Sequence, residues 1–157
     1  MRMAGNDEIR CSVTVMPVLF SSGKYRIGFV RRHGNDSYLP GTLVAPGGKL
    51  ERKDGKPVHG VMYFSPEDGA AREMLEECNL KISKEKLQYF CGLTLPNGKV
   101  VLSFYYLFDR EPKGKRLIYL SEAETRKRKD FAPGMEFEAL MLFKKLRARG
   151  KSTHSRD

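Results

Sequence analysis

The segment from Val100 to Phe108 constrains the fold of this chain most strongly, because it is apolar at every position except Ser103. Successive side chains of a β-strand point to opposite faces of a sheet, so a strand here presents apolar groups on both faces. Such strands lie inside sheets that other elements cover on both sides. The segment is also far shorter than the roughly 20 apolar residues that a membrane-spanning helix needs. We therefore expect a sheet covered on both faces and no membrane association.

Flanking segments predict that the sheet contains hairpins. Residues 10–20 and 24–30 alternate between apolar and polar positions across a Ser-Ser-Gly turn, which is typical of two antiparallel strands. Residues 87–95 precede the apolar strand, and the intervening Pro-Asn-Gly is a strong hairpin signal. A further short strand is predicted at 117–120, while residues 33–48 are expected to form loops.

Three helices are predicted from capping residues and apolar periodicity. The first begins at Ser65 and ends at Cys78, with Asn79 in the left-handed position that often follows a helix. The second spans residues 121–130 and the third spans residues 135–149. The apolar face predicted for the third helix consists of Phe137, Leu140, Met141 and Leu146. Together these elements predict an α/β fold with a mixed, hairpin-containing sheet and helices on both faces.

The chain length of 157 residues fits a single domain. We assign residues 1–150 to this domain and residues 151–157 to a flexible basic tail. A hydrophobic content of 40% and an aromatic content of 10% argue against disorder. The three cysteines form no CxxC pair, which indicates reduced thiols and a cytoplasmic location. Residues 1–10 contain no apolar segment of the kind found in signal peptides.

The charge balance narrows the range of partners. Lys and Arg number 29 against 19 Asp and Glu, which gives a formal net charge of +10. An excess of this size favours anionic partners such as nucleotides or RNA, although a basic surface that serves only solubility is equally compatible with it.

Three carboxylates in the first predicted helix indicate a metal-binding function. Glu73, Glu76 and Glu77 are spaced i, i+3 and i+4, which places them on one helix face. They lie toward the helix C-terminus, where the macrodipole disfavours negative charge. A cation that prefers oxygen ligands, Mg²⁺ or Mn²⁺, would compensate this repulsion. A solvated acidic face paired with lysines is the alternative.

Earlier in the chain, Gly47 and Gly48 allow the backbone to approach a ligand closely.

The sequence around these residues resembles the Nudix box. Ala-Pro-Gly-Gly-Lys-Leu-Glu at 45–51 is similar to the family's lead-in, and Arg-Glu-Met-Leu-Glu-Glu-Cys-Asn-Leu at 72–80 is similar to its helix. The resemblance implies a Nudix-like α/β/α sandwich and an enzyme that hydrolyses a nucleoside diphosphate linked to another group. The metal ligands that it implies are Glu73, Glu76, Glu77 and the carbonyl of Gly47. Arg72 would orient the carboxylates, and Glu76 or Glu77 would act as the base that activates water.

The family pattern is interrupted by an insertion. Fifteen residues separate Gly48 from Phe64, about ten more than in the pattern. Residues 49–63 are therefore expected to contain an inserted polar loop, which either lengthens the turn before the helix or contacts the substrate. Phe64 is expected to pack against this loop, on Val61 or Met62.

Phe64 also changes the expected partners within the site. It stands where the family pattern has a glutamate, and a phenylalanine ring cannot accept a hydrogen bond from Arg72. Arg72 therefore needs another carboxylate, for which Glu51 and Glu67 are the candidates. Asn79 replaces the box glycine, which is a mild change because both residues tolerate the left-handed conformation.

The resemblance leaves the substrate open. Residues 130–134 look like the MutT-type enzymes, in which this region holds the base, so Phe131 is a candidate for stacking on a base or for core packing. The leading prediction is Mg²⁺-dependent hydrolysis of a nucleoside triphosphate to the monophosphate and pyrophosphate. The alternatives are pyrophosphate removal from 5′-triphosphorylated RNA, hydrolysis of ADP-ribose or a nucleotide sugar, and a Nudix-fold module that only binds nucleotides. Three acidic residues that follow the helix in sequence are not assigned as metal ligands, namely Glu111, Glu122 and Glu124.

Overall fold

A computed structural model describes residues 9–35, 39–114 and 116–152 of the chain. Within these ranges the chain forms nine strands and three α-helices. The strands are β1 (Cys11–Ser21), β2 (Lys24–Arg31), β3 (Leu43–Val44), β4 (Gly47–Lys49), β5 (Gly55–Val58), β6 (Val61–Phe64), β7 (Gln88–Thr94), β8 (Val100–Phe108) and β9 (Ile118–Leu120). The helices are α1 (Pro66–Cys78), α2 (Glu122–Lys127) and α3 (Met135–Ser152). Single 3₁₀ turns lie at Arg52–Asp54 and Lys84–Lys86.

The main sheet is mixed, as predicted. Its strand order is β3-β2-β1-β8-β7, with β4 paired to β1 and β9 paired to β2. The β1–β2 and β7–β8 pairs are antiparallel, whereas β1 runs parallel to β8, with Val15 opposite Phe104. Strand β4 lies partly within the predicted loop 33–48, and it pairs antiparallel with β1. A three-residue strand that contains two glycines has no apolar alternation, so its sequence gave no strand signal.

The middle of β8 is buried on both faces, which confirms the expectation from its sequence, whereas Val100 and Leu107 near its ends are exposed. Phe104 and Tyr106 belong to the core on one side of the sheet, together with Ala70 and Met74 of α1. Tyr105 belongs to the core on the opposite side, which includes residues of α3. The chain is therefore a sandwich with α1 on one face of the sheet and α3 on the other.

The ends of α1 are set by the residues that the sequence indicated. The Oγ atom of Ser65 accepts a hydrogen bond of 3.4 Å from the Asp68 N–H, which caps the helix start. Asn79 follows the last turn with φ of 53°, and its N–H bonds back to the Leu75 carbonyl. Since α1 carries the acidic face, these caps fix where that face begins and ends.

The predicted apolar face of α3 is confirmed at Leu146, which is buried, and at Leu140, which packs against the core, but it was wrong at Phe137 and Met141. The side chains that face the core are Ala139, Leu142, Phe143 and Leu146. Phe137 is 70% exposed and Met141 is 41% exposed. Apolar residues recur on two overlapping stripes of this helix, so periodicity alone could not select the one that meets the sheet. The helix also continues beyond Gly150 to Ser152, into the segment predicted as a tail, and residues 153–157 lie outside the described residues.

The inserted segment is ordered as a hairpin rather than as the predicted loop. Strands β5 and β6 pair antiparallel with each other and with no strand of the main sheet. Phe64 lies opposite Gly55, where a Cβ would be 3.0 Å from the Phe64 ring and 3.0 Å from the Met62 sulfur. Phe64 is therefore half-buried within the insertion. None of the helices in the described part of the chain is long and apolar enough to span a membrane.

Candidate active site

Arg72 on α1 is the centre of a hydrogen-bond network at the acidic face. Its Nε and Nη2 atoms each donate a bond of 3.0 Å to the carboxylate of Asp54. Its Nη1 atom donates to Glu73 Oε1 at 2.9 Å and to Glu76 Oε2 at 3.1 Å. The remaining bond, from Nη2 to the Lys49 carbonyl, is 3.0 Å long. A guanidinium has five N–H donors, so every donor of Arg72 is used.

Asp54, in the inserted segment, is the partner that Arg72 takes. Its buried carboxylate also accepts the Glu51 N–H at 2.8 Å. Burial alone would raise the pKa of Asp54, but the hydrogen bonds from Arg72 and from the Glu51 backbone hold it below its usual value. The expectation of Glu51 or Glu67 is corrected accordingly. Glu51 lies 3.5 Å from Arg72 Nη1 as an ion pair only, and Glu67 contacts Ser65 instead.

Glu73 lies against the glycine turn. A Cβ built on Gly48 would be 2.4 Å from Glu73 Oε1, which is closer than such atoms can approach. Gly48 is therefore required for the carboxylate to reach its position beside the backbone. Burial raises the pKa of Glu73, and the charge of Arg72 opposes that shift.

Glu77 is half-buried and faces a cleft beside β4. The backbone N–H of Gly47 donates a hydrogen bond to its carboxylate. The pKa of Glu77 is raised to about 7, mainly by burial and secondly by the negative charge of Glu73. The positive charges of Arg116 and Arg32 act in the opposite direction. The structure thus joins Gly47 to Glu77 through the N–H of the glycine, and the metal-binding role of its carbonyl stays a prediction.

The acidic face has the donors that a hard dication requires. In the described ranges, no three carboxylate, imidazole or thiol side chains converge as a metal cluster. Arg72 Nη1 instead bridges Glu73 and Glu76 through its two hydrogen bonds. Carboxylate oxygens are the ligands that Mg²⁺ and Mn²⁺ prefer. Glu73, Glu76 and Glu77 supply carboxylates of this kind from α1, so their donor chemistry fits such an ion.

The cleft next to Glu77 has a volume of about 570 Å³ and a basic lining. This volume lies within the range typical of small-molecule sites. The cationic side chains at its wall are Arg31, Arg32, Lys49, Lys99 and Arg116. A polyphosphate in the cleft would therefore meet positive charge along the wall and the acidic face at one end.

Solved structures show which fold this arrangement belongs to. The Nudix domain of Shewanella oneidensis NrtR, in complex with ADP ribose, superposes with a TM-score of 0.62 at 15% identity, over 88% of this chain and 86% of that one. A MutT/nudix family protein from Enterococcus faecalis gives 0.65 at 14% identity, over 98% and 67%. A C. elegans Ap4A hydrolase gives 0.61 at 17% identity, over 90% and 98%. This chain has the Nudix fold.

The likeness to these Nudix structures lies in the fold and not in overall sequence. No model of a protein family matches the sequence, and no curated protein matches it either. The superpositions cover 88% to 98% of this chain at identities of 14% to 17%, so the architecture is shared while most side chains differ.

Glu138 is a cleft residue that sequence reasoning missed. It projects from α3 into the Nudix cleft and accepts a hydrogen bond from Ser103 of β8, which in turn accepts one of 3.2 Å from Thr14 of β1. Burial raises the pKa of Glu138, and the Ser103 bond opposes the shift. These three residues come together only through the sheet and α3. The one usable signal was Ser103, the single polar residue in an otherwise apolar strand.

Phe131 is placed apart from the lining of the cleft. Its ring meets Phe29 edge-on, with 4.9 Å between ring centroids, and packs on the core beneath α3. Its assignment to base stacking stays a prediction. Two of the later acids have structural contacts, since Glu122 bonds Arg126 at 2.9 Å and Glu124 caps α2.

Proposed function

We propose that this protein is a hydrolase that cleaves a phosphoanhydride bond in a nucleoside diphosphate-linked compound, with Mg²⁺ or Mn²⁺ as cofactor. The first substrate class is a nucleoside triphosphate, cleaved to the monophosphate and pyrophosphate. One observation carries the proposal: α1 bears Glu73, Glu76 and Glu77, of which Glu77 lines a basic cleft while Glu73 and Glu76 accept hydrogen bonds from Arg72.

Two of the similar structures support the broader class of compounds with a phosphoanhydride bond next to a nucleoside. One is described as a complex with ADP ribose and another as an Ap4A hydrolase. Both compounds contain phosphoanhydride bonds next to a nucleoside. A cleft lined by cationic side chains suits such a chain of phosphates, because guanidinium and ammonium groups form strong hydrogen bonds with phosphate oxygens.

The chemistry follows from the positions of the carboxylates. Bound at Glu73, Glu76, Glu77 and the Gly47 carbonyl, the ion would neutralise phosphate oxygens and lower the pKa of a bound water. Arg72 holds Glu73 and Glu76 in fixed orientation. Glu76 or Glu77 accepts the proton as the water oxygen forms a bond to phosphorus. The anhydride P–O bond breaks, and pyrophosphate leaves with the bonding electrons.

A 5′-triphosphorylated RNA is the second candidate substrate, because it carries the same triphosphate. The observation in its favour is the exposed β5–β6 hairpin, which directly follows Asp54, the partner of Arg72. ADP-ribose or a nucleotide sugar is a further compound for the assay panel. A Nudix-fold module that only binds nucleotides would have no need of three carboxylates on one face. The thiols and the basic charge suit the cytoplasm as the site of action.

A substrate panel with a paired variant tests the proposal. Nucleoside triphosphates, ADP-ribose, a dinucleoside polyphosphate and triphosphorylated RNA would each be incubated with Mg²⁺, and the products separated by ion-exchange chromatography. We expect monophosphate and pyrophosphate from a triphosphate, and a loss of at least about a hundredfold in Glu77→Gln. Glu85→Gln is the matched control, since Glu85 is exposed and bonds Ser83 outside the cleft. Inactivity on the whole panel, or full activity of Glu77→Gln, would contradict the proposal.

A further inference from the structure

The strand register anchors Glu77 and Glu138 on opposite sides of β1, within one cleft. Thr14 of β1 pairs with Gly47 of β4 on one side and with Ser103 of β8 on the other. Gly47 donates its N–H to Glu77, and Ser103 donates its hydroxyl to Glu138. Neighbouring strands are about 4.8 Å apart, so the backbones of Gly47 and Ser103 are separated by about 10 Å. Glu77 and Glu138 both line the cleft, and a nucleotide is long enough to reach from one to the other.

An apolar surface lies next to Glu138 at the floor of the cleft. Val101 of β8 and Leu93 of β7 are directly paired, and directly opposed residues point to the same side of a sheet. Val101 is two residues from Ser103, so it lies on the face of β8 from which Ser103 bonds Glu138. Both apolar side chains line the cleft. The wall beside them is formed by the segment before α3 and its first residue, namely Ala132, Pro133, Gly134 and Met135. A flat and largely apolar group such as a nucleobase fits this end of the cleft.

Glu138 presents hydrogen-bond acceptors to this apolar end. Ser103, which is fully buried, donates its hydroxyl proton to Glu138 Oε1 and accepts the Thr14 hydroxyl at 3.2 Å. A hydroxyl has one proton, so this chain fixes Glu138 as the acceptor. The Ser103 bond also opposes the rise in the pKa of Glu138 that burial causes, which favours the ionised carboxylate. Within the described residues neither an ion pair nor another hydrogen bond engages Glu138 Oε2, so this oxygen is available to a ligand in the cleft.

We propose that Glu138 selects the base of the substrate, and that this base is a guanine bound through its N1–H and its 2-amino group. The inference rests on the proposed function, because the phosphates are taken to lie beside Glu77 while the base lies on Val101 and Leu93. It adds a residue that determines base specificity to the residues that hold the phosphates.

The acceptor pattern of Glu138 distinguishes the common bases. The pairing edge of guanine carries two adjacent N–H donors, and a carboxylate binds such a pair through two parallel, charge-assisted hydrogen bonds. Adenine and cytosine carry one amino group beside a ring nitrogen that is an acceptor, so one carboxylate oxygen would face a lone pair. Uracil carries a single N–H between two carbonyl oxygens. A buried acceptor that meets another acceptor is left without a partner, and this costs the full desolvation of the group.

Glu138→Gln tests the inference through a change of preference rather than a loss of activity. The side-chain amide has nearly the shape of the carboxylate but presents one acceptor and one donor. That pattern matches an amino group beside a ring nitrogen, as adenine presents it, and no longer matches the two donors of guanine. Glu136→Gln is the matched control, because Glu136 lies one residue into α3 and is not among the residues that line the cleft.

Binding of nucleotides that resist cleavage measures the preference directly. The probes are the α,β-methylene analogues of GTP and ATP, titrated with Mg²⁺ in a calorimeter. We expect the wild type and Glu136→Gln to bind the guanine analogue at least about tenfold more tightly, as for hydrogen bonds to a charged group. In Glu138→Gln the ratio should fall to about one or favour adenine. A wild type without this preference, or a preference that Glu138→Gln leaves intact, would overturn the inference.

Turnover supplies an independent arm. The ratio of kcat/KM for GTP to kcat/KM for ATP should be at least about ten in the wild type, and it should fall in Glu138→Gln but not in Glu136→Gln. Both substrates carry the same triphosphate, so a general loss of activity would not move this ratio. Hydrolysis with a ratio that Glu138→Gln does not change would overturn the inference and leave the proposed function standing.

Failure of the proposed function has a different signature. If no nucleotide is hydrolysed, the proposed function fails, and the ratio of the two binding constants alone decides whether Glu138 reads the base. If neither analogue binds, the inference about Glu138 is overturned as well.

Discussion

Asp54 and Arg72 are joined by two hydrogen bonds of 3.0 Å each, although Asp54 lies in an insertion and Arg72 lies in the helix that bears the acidic face. Both side chains are largely buried, with exposed fractions of 4% and 14%. The family pattern has a glutamate at the position of Phe64. In this chain, Asp54 of the insertion supplies that carboxylate instead. This exchange explains how the Arg72 network persists without a glutamate at that position.

Asp54→Asn tests the importance of this pair. The amide presents one oxygen acceptor where the carboxylate presents two, and it removes one of the two buried carboxylates that pair with the guanidinium, the other being Glu73. Breaking one partner of a buried pair costs about 3 kcal/mol, so we expect a clearly lower Tm and a large fall in turnover. Asp68→Asn is the control, because Asp68 pairs with Lys84 at the exposed start of α1. Equal effects of the two substitutions in calorimetry would contradict a special role for Asp54.

Phe64→Glu, combined with Asp54→Asn, tests whether the two positions are interchangeable. The Ser65 N–H donates a bond of 3.1 Å to the Asp54 carbonyl, so a side chain at position 64 starts close to Asp54. We expect the double variant to recover part of the turnover lost in Asp54→Asn, at the expense of the half-buried phenylalanine ring. The measurement is kcat/KM on the best substrate of the panel. A double variant no more active than Asp54→Asn alone would show that only the carboxylate of Asp54 can hold Arg72.

Gly48→Ala tests the close approach of Glu73 to the glycine turn. The added methyl group would lie 2.4 Å from Glu73 Oε1, so either the carboxylate or β4 must move. We expect a loss of about 1–3 kcal/mol of stability, as for other overpacked sites, and a turnover decrease of at least about tenfold. Gly150→Ala on α3 meets no atom within 4 Å and is the matched control, expected to leave turnover unchanged. A fully active Gly48→Ala enzyme would exclude Glu73 from the metal site.

Glu138→Gln gives a prediction for pH dependence. Burial raises the pKa of Glu138 in the folded protein above the unfolded value of about 4.3. Folding therefore favours the protonated form, and this contribution is complete below the unfolded pKa and is lost as pH rises through the folded pKa. We expect Glu138→Gln to have the same Tm as the wild type near pH 4 and a higher Tm at neutral pH. The check is scanning calorimetry at pH 4 to 8 with Glu136→Gln alongside, and a constant difference across that range would refute the assignment.

Glu77→Gln gives a prediction for metal linkage. The substitution removes a negative charge that the Glu73 carboxylate repels, so the Tm of the metal-free variant should lie slightly above that of the wild type. Addition of Mg²⁺ or Mn²⁺ should raise the wild-type Tm, because a ligand that binds the native state stabilises it, and should raise the Tm of the variant much less. Differential scanning fluorimetry with and without EDTA separates the two effects. Equal metal-induced shifts would place the ion elsewhere.

Features set by local chemistry were predictable from the sequence. The caps of α1 depend on Ser65 and Asn79, which act within one turn of their own positions. The burial of the middle of β8 on both faces follows from a pattern that is apolar at every position except Ser103. The acidic face required only the helical repeat that places Glu73, Glu76 and Glu77 together.

Features that depend on tertiary contact were not predictable in this way. Asp54 is 18 residues from Arg72 and lies in a segment whose composition indicated a polar loop. The contact of Glu138 with Ser103 joins positions 35 residues apart through the crossing of α3 over β8. Phe137 was placed in the core because two apolar stripes compete on α3, and only the packed sheet decides between them.

The hydrogen bond between the Ser65 N–H and the Asp54 carbonyl closes the hairpin at its base, so residues 55–64 form an excursion whose two ends meet. The groups that hold Arg72 all lie outside those ten residues. A different excursion could therefore replace this one while the hydrolytic site keeps its geometry. Among related proteins, the segment between Asp54 and Ser65 can therefore vary without moving the groups that hold Arg72. The same two boundaries suit an engineered graft of a different segment onto the fold.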